Sequence, residues 1–143
     1  MGTVSPVRRR ASAVIVREGA VLMVREATRS SSGRHDGPSY LTLPGGGVGD
    51  DEDLDHAVRR EVAEEVGLHV TSARRLGTYP YTYGETACFL VEVLDGEPRL
   101  GAHDKPCDCP KMIALEWVPL PEACSLPETP PHLADLLLAL QHG

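Results

Sequence analysis

The chain has 143 residues, of which 41% are hydrophobic and 24% charged, which excludes a disordered or fibrous chain and suits one ordinary domain over residues 1–143. Twenty-one acidic residues against 14 basic ones give a net charge of −7, which argues against a partner held through phosphate-backbone charge, such as duplex DNA. No apolar run reaches the ~18 residues of a membrane helix, and Arg17-Glu18 interrupt the run from Ala11 too early for a secretory segment. Cys88, Cys107, Cys109 and Cys124 without such a segment point to reduced thiols in a cytoplasmic protein.

In chain order, Ala11–Val16 and Ala20–Val24 flank Arg17-Glu18-Gly19 and predict a β-hairpin. Thr28 to Pro38 is polar, long enough for a binding loop and too short for a domain linker. Tyr40–Leu43 predicts a short strand that stops at Pro44 and the glycines Gly45 to Gly47. Over Glu52–Val66 the period changes. Leu54, Val58 and Val62 recur every fourth residue beside Ala57, and Gly67 follows as a C-cap, which predicts an amphipathic helix. Asp50, Asp51 and Asp53 suit the positive end of its dipole. Leu76–Tyr83, Thr86–Val93 and Met112–Val118 predict three more strands, and Leu133–Leu140 predicts a helix after Pro130-Pro131. Strands with interspersed helices favour an α/β layer fold.

The densest chemistry lies at Arg60-Glu61-Val62-Ala63-Glu64-Glu65-Val66-Gly67-Leu68. Steps of ~100° place Glu61, Glu64 and Glu65 on one helix face. Like charges on one face repel, so they either decorate a solvated surface or meet a hard divalent cation that takes oxygen ligands. The string Gly46–Leu68 extends the pattern upstream: Gly46, then Glu52, then Arg60-Glu61, Glu64-Glu65 and Gly67-Leu68 fill G-x5-E-x7-R-E-U-x-E-E-x-G-U, where U is aliphatic. Seven fixed identities arise by chance in roughly 10⁻⁷ of chains. This is the signature of the Nudix (MutT-like) hydrolases, and the chain resembles that family. Tyr40-Leu41-Thr42-Leu43-Pro44-Gly45-Gly46-Gly47-Val48 is similar to the lead-in common there.

The resemblance implies an α/β/α sandwich with a mixed β-sheet and the box as loop–helix–loop. It implies that Glu61, Glu64 and Glu65, with the Gly45 carbonyl, bind Mg²⁺ or Mn²⁺, and that Arg60 and Glu52 form a salt bridge fixing loop against helix. The implied reaction is hydrolysis of a nucleoside diphosphate linked to another moiety by metal-activated water, with Glu61 as first candidate for the base. The partner is then a small nucleotide-type diphosphate, with no DNA and no membrane, and homodimerisation stays open. A non-catalytic nucleotide-binding or regulatory module on the same fold is the alternative; intact box carboxylates favour the enzyme. Three positions depart from the family pattern. Gly49 and Asp51 replace the usual Glu and Gly of the loop, and Lys111 stands where many members carry a distal Glu, six residues before Trp117. Glu85, Asp104 and Asp108 are candidate substitutes.

Outside the box, Arg29 and Arg34 in the polar loop, with His35, could hold phosphates or the second moiety by charge-assisted bonds. Tyr79, Tyr81 and Tyr83 share a strand face, where packing outweighs base stacking, although Tyr83 falls near the tyrosine of dinucleoside-polyphosphate hydrolases. Pro80 comes too early for the ADP-ribose hydrolase marker, and Arg29-x3-Gly33 echoes the coenzyme A pattern only in part. The spacing His103-x3-Cys107-x-Cys109 lacks the paired units of a structural zinc site, so no zinc is expected. Cys88 alternates with apolar neighbours and reads as core.

Overall fold

Glu18 and Gly19 both take positive φ, 53° and 78°, in the computed structural model, which describes residues 8–28, 30–34, 36–81, 84–101, 112–126 and 132–142. Left-handed backbone at both central positions gives a tight turn whose twist matches its strands. The turn pairs β2 (Val16–Arg17) with β3 (Ala20–Ala27), Arg17 opposite Ala20. The expected hairpin is therefore present but short. Its first half belongs to β1 (Arg8–Val14), which leaves for another sheet, and the Leu22 N–H to Ile15 carbonyl bond of 3.0 Å marks the junction.

The first sheet has the order β5-β1-β7-β6, with β5 at Gly45–Gly47, β6 at Val70–Tyr81 and β7 at Gly84–Val93. It is mixed: β1 runs parallel to β7, while β5–β1 and β6–β7 are antiparallel. The second sheet is antiparallel, with β3 paired to β2 and then β4 (Ser39–Thr42) along one edge and to β8 (Met112–Pro119) along the other.

Strand alternation divides the core. Ala11, Ala13, Leu22, Val24, Ala87, Phe89 and Val91 face α1 (Leu54–Val66) and pack on its buried Ala57, Val58, Val62 and Val66. Val14, Val21, Met23 and Cys88 face the other way, against α2 (Leu120–Ala123) and the buried Leu133 and Leu136 of α3 (His132–His142). Helix, sheet and helix thus form the α/β/α sandwich. Full burial of each α1 valine contributes roughly 1.5–3 kcal/mol before entropy is counted, which seats the box helix firmly.

The ends of α1 follow from sequence. Asp53 caps the N-terminus by accepting the His56 N–H at 2.7 Å, and Gly67, at φ 69°, ends the helix in the left-handed region. Three elements escape the sequence pattern: α2, which no apolar period marks, β5, and the first half of β6. Gly45–Gly47 has no strand propensity, yet pairs with Ser12, Ala11 and Arg10 of β1. β6 starts at Val70, well before Leu76, because an edge strand can turn the polar Thr71, Ser72 and Arg74 to water. Among the described residues, no helix is long and apolar enough to cross a membrane.

Candidate functional site

Glu52 gathers the loop before α1. Its carboxylate accepts Arg60 Nε at 2.7 Å and Arg60 Nη2 at 2.8 Å, the Gly49 N–H at 3.0 Å, and pairs with His56 Nδ1 at 2.6 Å. Arg60 first, then the Gly49 N–H, hold the Glu52 carboxyl well below the usual range, and Glu52 in turn raises Arg60. The Gly49 main chain thus helps to fix Glu52, a bond that any residue except proline could make at this position. A cleft of about 570 Å³ opens beside this pair, lined by Gly49, Asp51, Glu52, Asp53, His56 and Arg60.

Arg60 also reaches the carboxylate face. Its Nη1 donates to Glu61 at 2.9 Å and to Glu64 at 3.2 Å, and its Nη2 to the Gly47 carbonyl at 3.0 Å. One guanidinium therefore ties the loop glycines to two of the three box carboxylates. Glu61 and Glu64 differ in setting: the Glu61 side chain is 13% exposed and that of Glu64 59%. Burial raises the Glu61 carboxyl, against the opposing pull of Arg60.

Glu65 is the third. Its Oε1 accepts the Gly45 N–H at 2.7 Å. Burial pushes its carboxyl up to about 7; the Gly45 bond opposes this, and the charges of Glu61 and Glu26 add to it. The structure thus places Gly45 on Glu65 through its N–H, where the resemblance implies a role for its carbonyl. Gly46 is fixed by space: a Cβ there would stand 2.6 Å from the Glu61 carboxyl. At Gly45 a Cβ would fall onto the Ala11 carbonyl of β1.

The oxygen set fits a hard divalent cation. Glu61 and Glu64 already share one positive group, the Arg60 guanidinium; the charge of Glu61 raises Glu65, and those of Glu64 and Glu52 raise Glu61. Among the described residues, no three acidic, His or Cys side chains converge on one point: Arg60 holds Glu61 and Glu64, and the Gly45 N–H holds Glu65.

Glu26 is a site neighbour absent from the sequence reading. It follows Leu22 and Val24 on the α1-facing side of β3, is only 8% exposed, and accepts the Tyr40 hydroxyl at 2.8 Å across the β3–β4 ladder. Its period-two spacing from two core residues is the signal that could have found it. Of the other candidates, Arg34 and Glu85 are exposed. Arg29, His35, Tyr83, His103, Asp104, Cys107, Asp108, Cys109 and Lys111 lie outside the described residues. Tyr79 packs against the α3-side core and Cys88 is fully buried, both as packing residues.

A NUDIX domain family model matches residues 6–140. The NAD-capped RNA hydrolase NudC of Pasteurella multocida is 30% identical over 134 residues, 90% of this chain and 44% of that protein, so the chain spans less than half of that relative's length. A MutT NUDIX hydrolase structure from Burkholderia pseudomallei aligns at TM-score 0.63 with 28% identity, over 80% of this chain and 84% of that one. An ADP-ribose pyrophosphatase structure from Streptococcus suis aligns at TM-score 0.66 with 23% identity, over 94% and 92% of the two chains, and shows likeness of fold.

Proposed function

Because the chain belongs to the NUDIX domain family, we propose that it is a divalent-metal-dependent pyrophosphohydrolase, cleaving a nucleoside diphosphate linked to a second moiety. The observation that carries this reading is the junction of glycine loop and helix: Gly45 bonded to Glu65, Gly46 packed on Glu61, and Arg60 joining Glu52, Gly47, Glu61 and Glu64. A purely solvated acidic face would need none of these bonds.

In this reading Glu61, Glu64 and Glu65 hold Mg²⁺ or Mn²⁺, which when bound neutralises diphosphate oxygens and activates water. Water adds to one phosphorus as the bridging P–O bond breaks, and the proton released goes to Glu61, the proposed base. Glu52 and Arg60 act by orientation, keeping the loop glycines against the helix while substrate enters. Arg29, Arg34 and Tyr83 are the proposed contacts to the second moiety. A single domain over residues 1–143 and a cytoplasmic location belong to the same reading.

NAD and NAD-capped RNA join the panel because of the name of one relative, although a net charge of −7 disfavours binding through the RNA backbone. The test is a Mg²⁺-dependent turnover screen of purified protein on these, ADP-ribose, NTPs, dinucleoside polyphosphates and nucleotide sugars. Cleavage of one at the diphosphate, abolished by chelator, is the expected result. Mg²⁺-independent binding without cleavage across the panel would make the chain a nucleotide-binding module instead.

A further inference from the structure

The chain after β7 is mostly exposed from Leu94 to Leu100, so burial does not explain its course. Its main chain is nonetheless tied at four points. The Leu94 N–H donates to the His69 carbonyl at 2.9 Å and Arg17 Nη1 donates to the Gly96 carbonyl at 3.0 Å. The Arg99 N–H then donates to the Val66 carbonyl at 2.9 Å, and the Gly101 N–H to the Glu65 carbonyl at 2.8 Å. The last two bonds end on the final turn of α1.

That turn needs help. The last carbonyls of a helix have no partner within it, and the helix dipole makes this end negative. Glu64 and Glu65 add two carboxylates there, and the turn carries no basic residue. Gly67 closes one carbonyl, that of Ala63, at 3.2 Å. The strap closes those of Glu65 and Val66. Gly101 fits by having no side chain: a Cβ would fall onto the Glu64 carbonyl oxygen, a backbone atom, and stand 3.3 Å from the Glu65 Cα. Gly96, in the same strap, would meet nothing within 4 Å.

We propose that the strap Leu94–Gly101, through the Gly101 N–H, fixes the main chain of the last turn of α1 and so helps to position Glu64 and Glu65 for a divalent cation. Gly101 is then a positioning residue for the reaction. This rests on the reading of those two carboxylates as cation-binding.

The experiment compares wild type, Gly101→Ala and Gly96→Ala by Mn²⁺ titration, following free Mn²⁺ by electron paramagnetic resonance, and by amide hydrogen exchange without metal. Gly101→Ala should weaken Mn²⁺ binding about fivefold or more, the size of one lost main-chain hydrogen bond. It should also speed exchange across Glu64–Leu68 while the sheet amides stay protected. Gly96→Ala should match wild type in both. Should Gly101→Ala not fold, Arg99→Pro removes the neighbouring donor without approaching Glu64, and should produce a smaller change of the same kind. Unchanged exchange in the last turn of the folded variant would overturn the strap's role. Faster exchange with unchanged Mn²⁺ affinity would reduce it to helix stability and overturn the proposal. A wild type that binds no Mn²⁺ removes the cation reading and the proposal's functional half with it, while exchange still reports on the strap.

Discussion

The 2.7 Å bond from the Gly45 N–H to Glu65 Oε1 joins the last turn of α1 to the first residue of β5. Gly45 is itself paired to Ser12 of β1, so Glu65 is held against the sheet as well as by its helix. The bond partly compensates a buried carboxylate whose nearest charged neighbours include two more carboxylates. Such a residue is expensive to keep unless something uses it.

Neutralising Glu64 or Glu65 to Gln keeps volume and helix propensity and removes one charge. Turnover should fall by about 10²–10⁴-fold in either variant, because divalent-metal stabilisation is worth several kcal/mol. Metal-free melting should rise in Glu65→Gln, which loses a buried charge, and hardly move in Glu64→Gln, whose side chain is 59% exposed. The Tm gained on adding Mg²⁺ should shrink in both. Wild-type Mg²⁺ curves in both variants would return the carboxylate face to solvent.

Stability should depend on pH through Glu65. Its carboxyl sits at about 7 when folded against 4.5 for an unperturbed glutamate, so the folded state binds more protons between those values. The resulting stability is complete below pH 4.5 and is lost as pH rises through 7. Glu61 is shifted the same way. Glu52, held low by Arg60, is mostly ionised in both states above pH 5 and adds little slope there, of the opposite sign. Metal-free Tm should therefore fall by on the order of a few degrees from pH 5 to 8, and Glu65→Gln should flatten that slope. A rising Tm across the same window in calorimetry would contradict the burial of Glu65.

Where the sequence carried periodicity it carried the structure. The α1 face, its Gly67 cap and the turn at Glu18-Gly19 follow from apolar spacing and residue chemistry alone, and the Glu52–Arg60 contact came with the family resemblance. What stayed illegible was set by partners distant in sequence. β5 is a strand because β1 pairs with it, not because glycine favours strands. Glu26 reads as an ordinary strand-end charge until β4 brings the Tyr40 hydroxyl across. The strap bonds to Glu65 and Val66 are main-chain contacts and leave no side-chain signature beyond a single glycine.

Arg60→Lys should separate charge from geometry. A lysine keeps the positive charge but cannot bond Glu52 in two places while also reaching Gly47, Glu61 and Glu64. Loss of an orienting partner of this kind costs about 10–100-fold in activity or metal affinity. The same range should appear in Glu52→Gln, and the double variant should lose little more than either single one, because the two act as one unit. Fully additive losses in kcat/KM would mean that Glu52 and Arg60 work apart.

Glu26 offers a way to tune Glu65 without touching it. Glu26 is buried in β3, and its charge helps to hold the Glu65 proton. Glu26→Gln keeps an acceptor for the Tyr40 hydroxyl and removes the charge. The Glu65 carboxyl should then release its proton at lower pH, and the acid limb of the kcat/KM profile should move down with it, since a ligand must be ionised to bind a cation. Carbon NMR of labelled glutamate, taken without metal, reads the first shift directly, and the pH–rate profile reads the second. If neither moves, Glu26 lies electrically outside the site, and its burial beside Tyr40 serves the β3–β4 ladder alone.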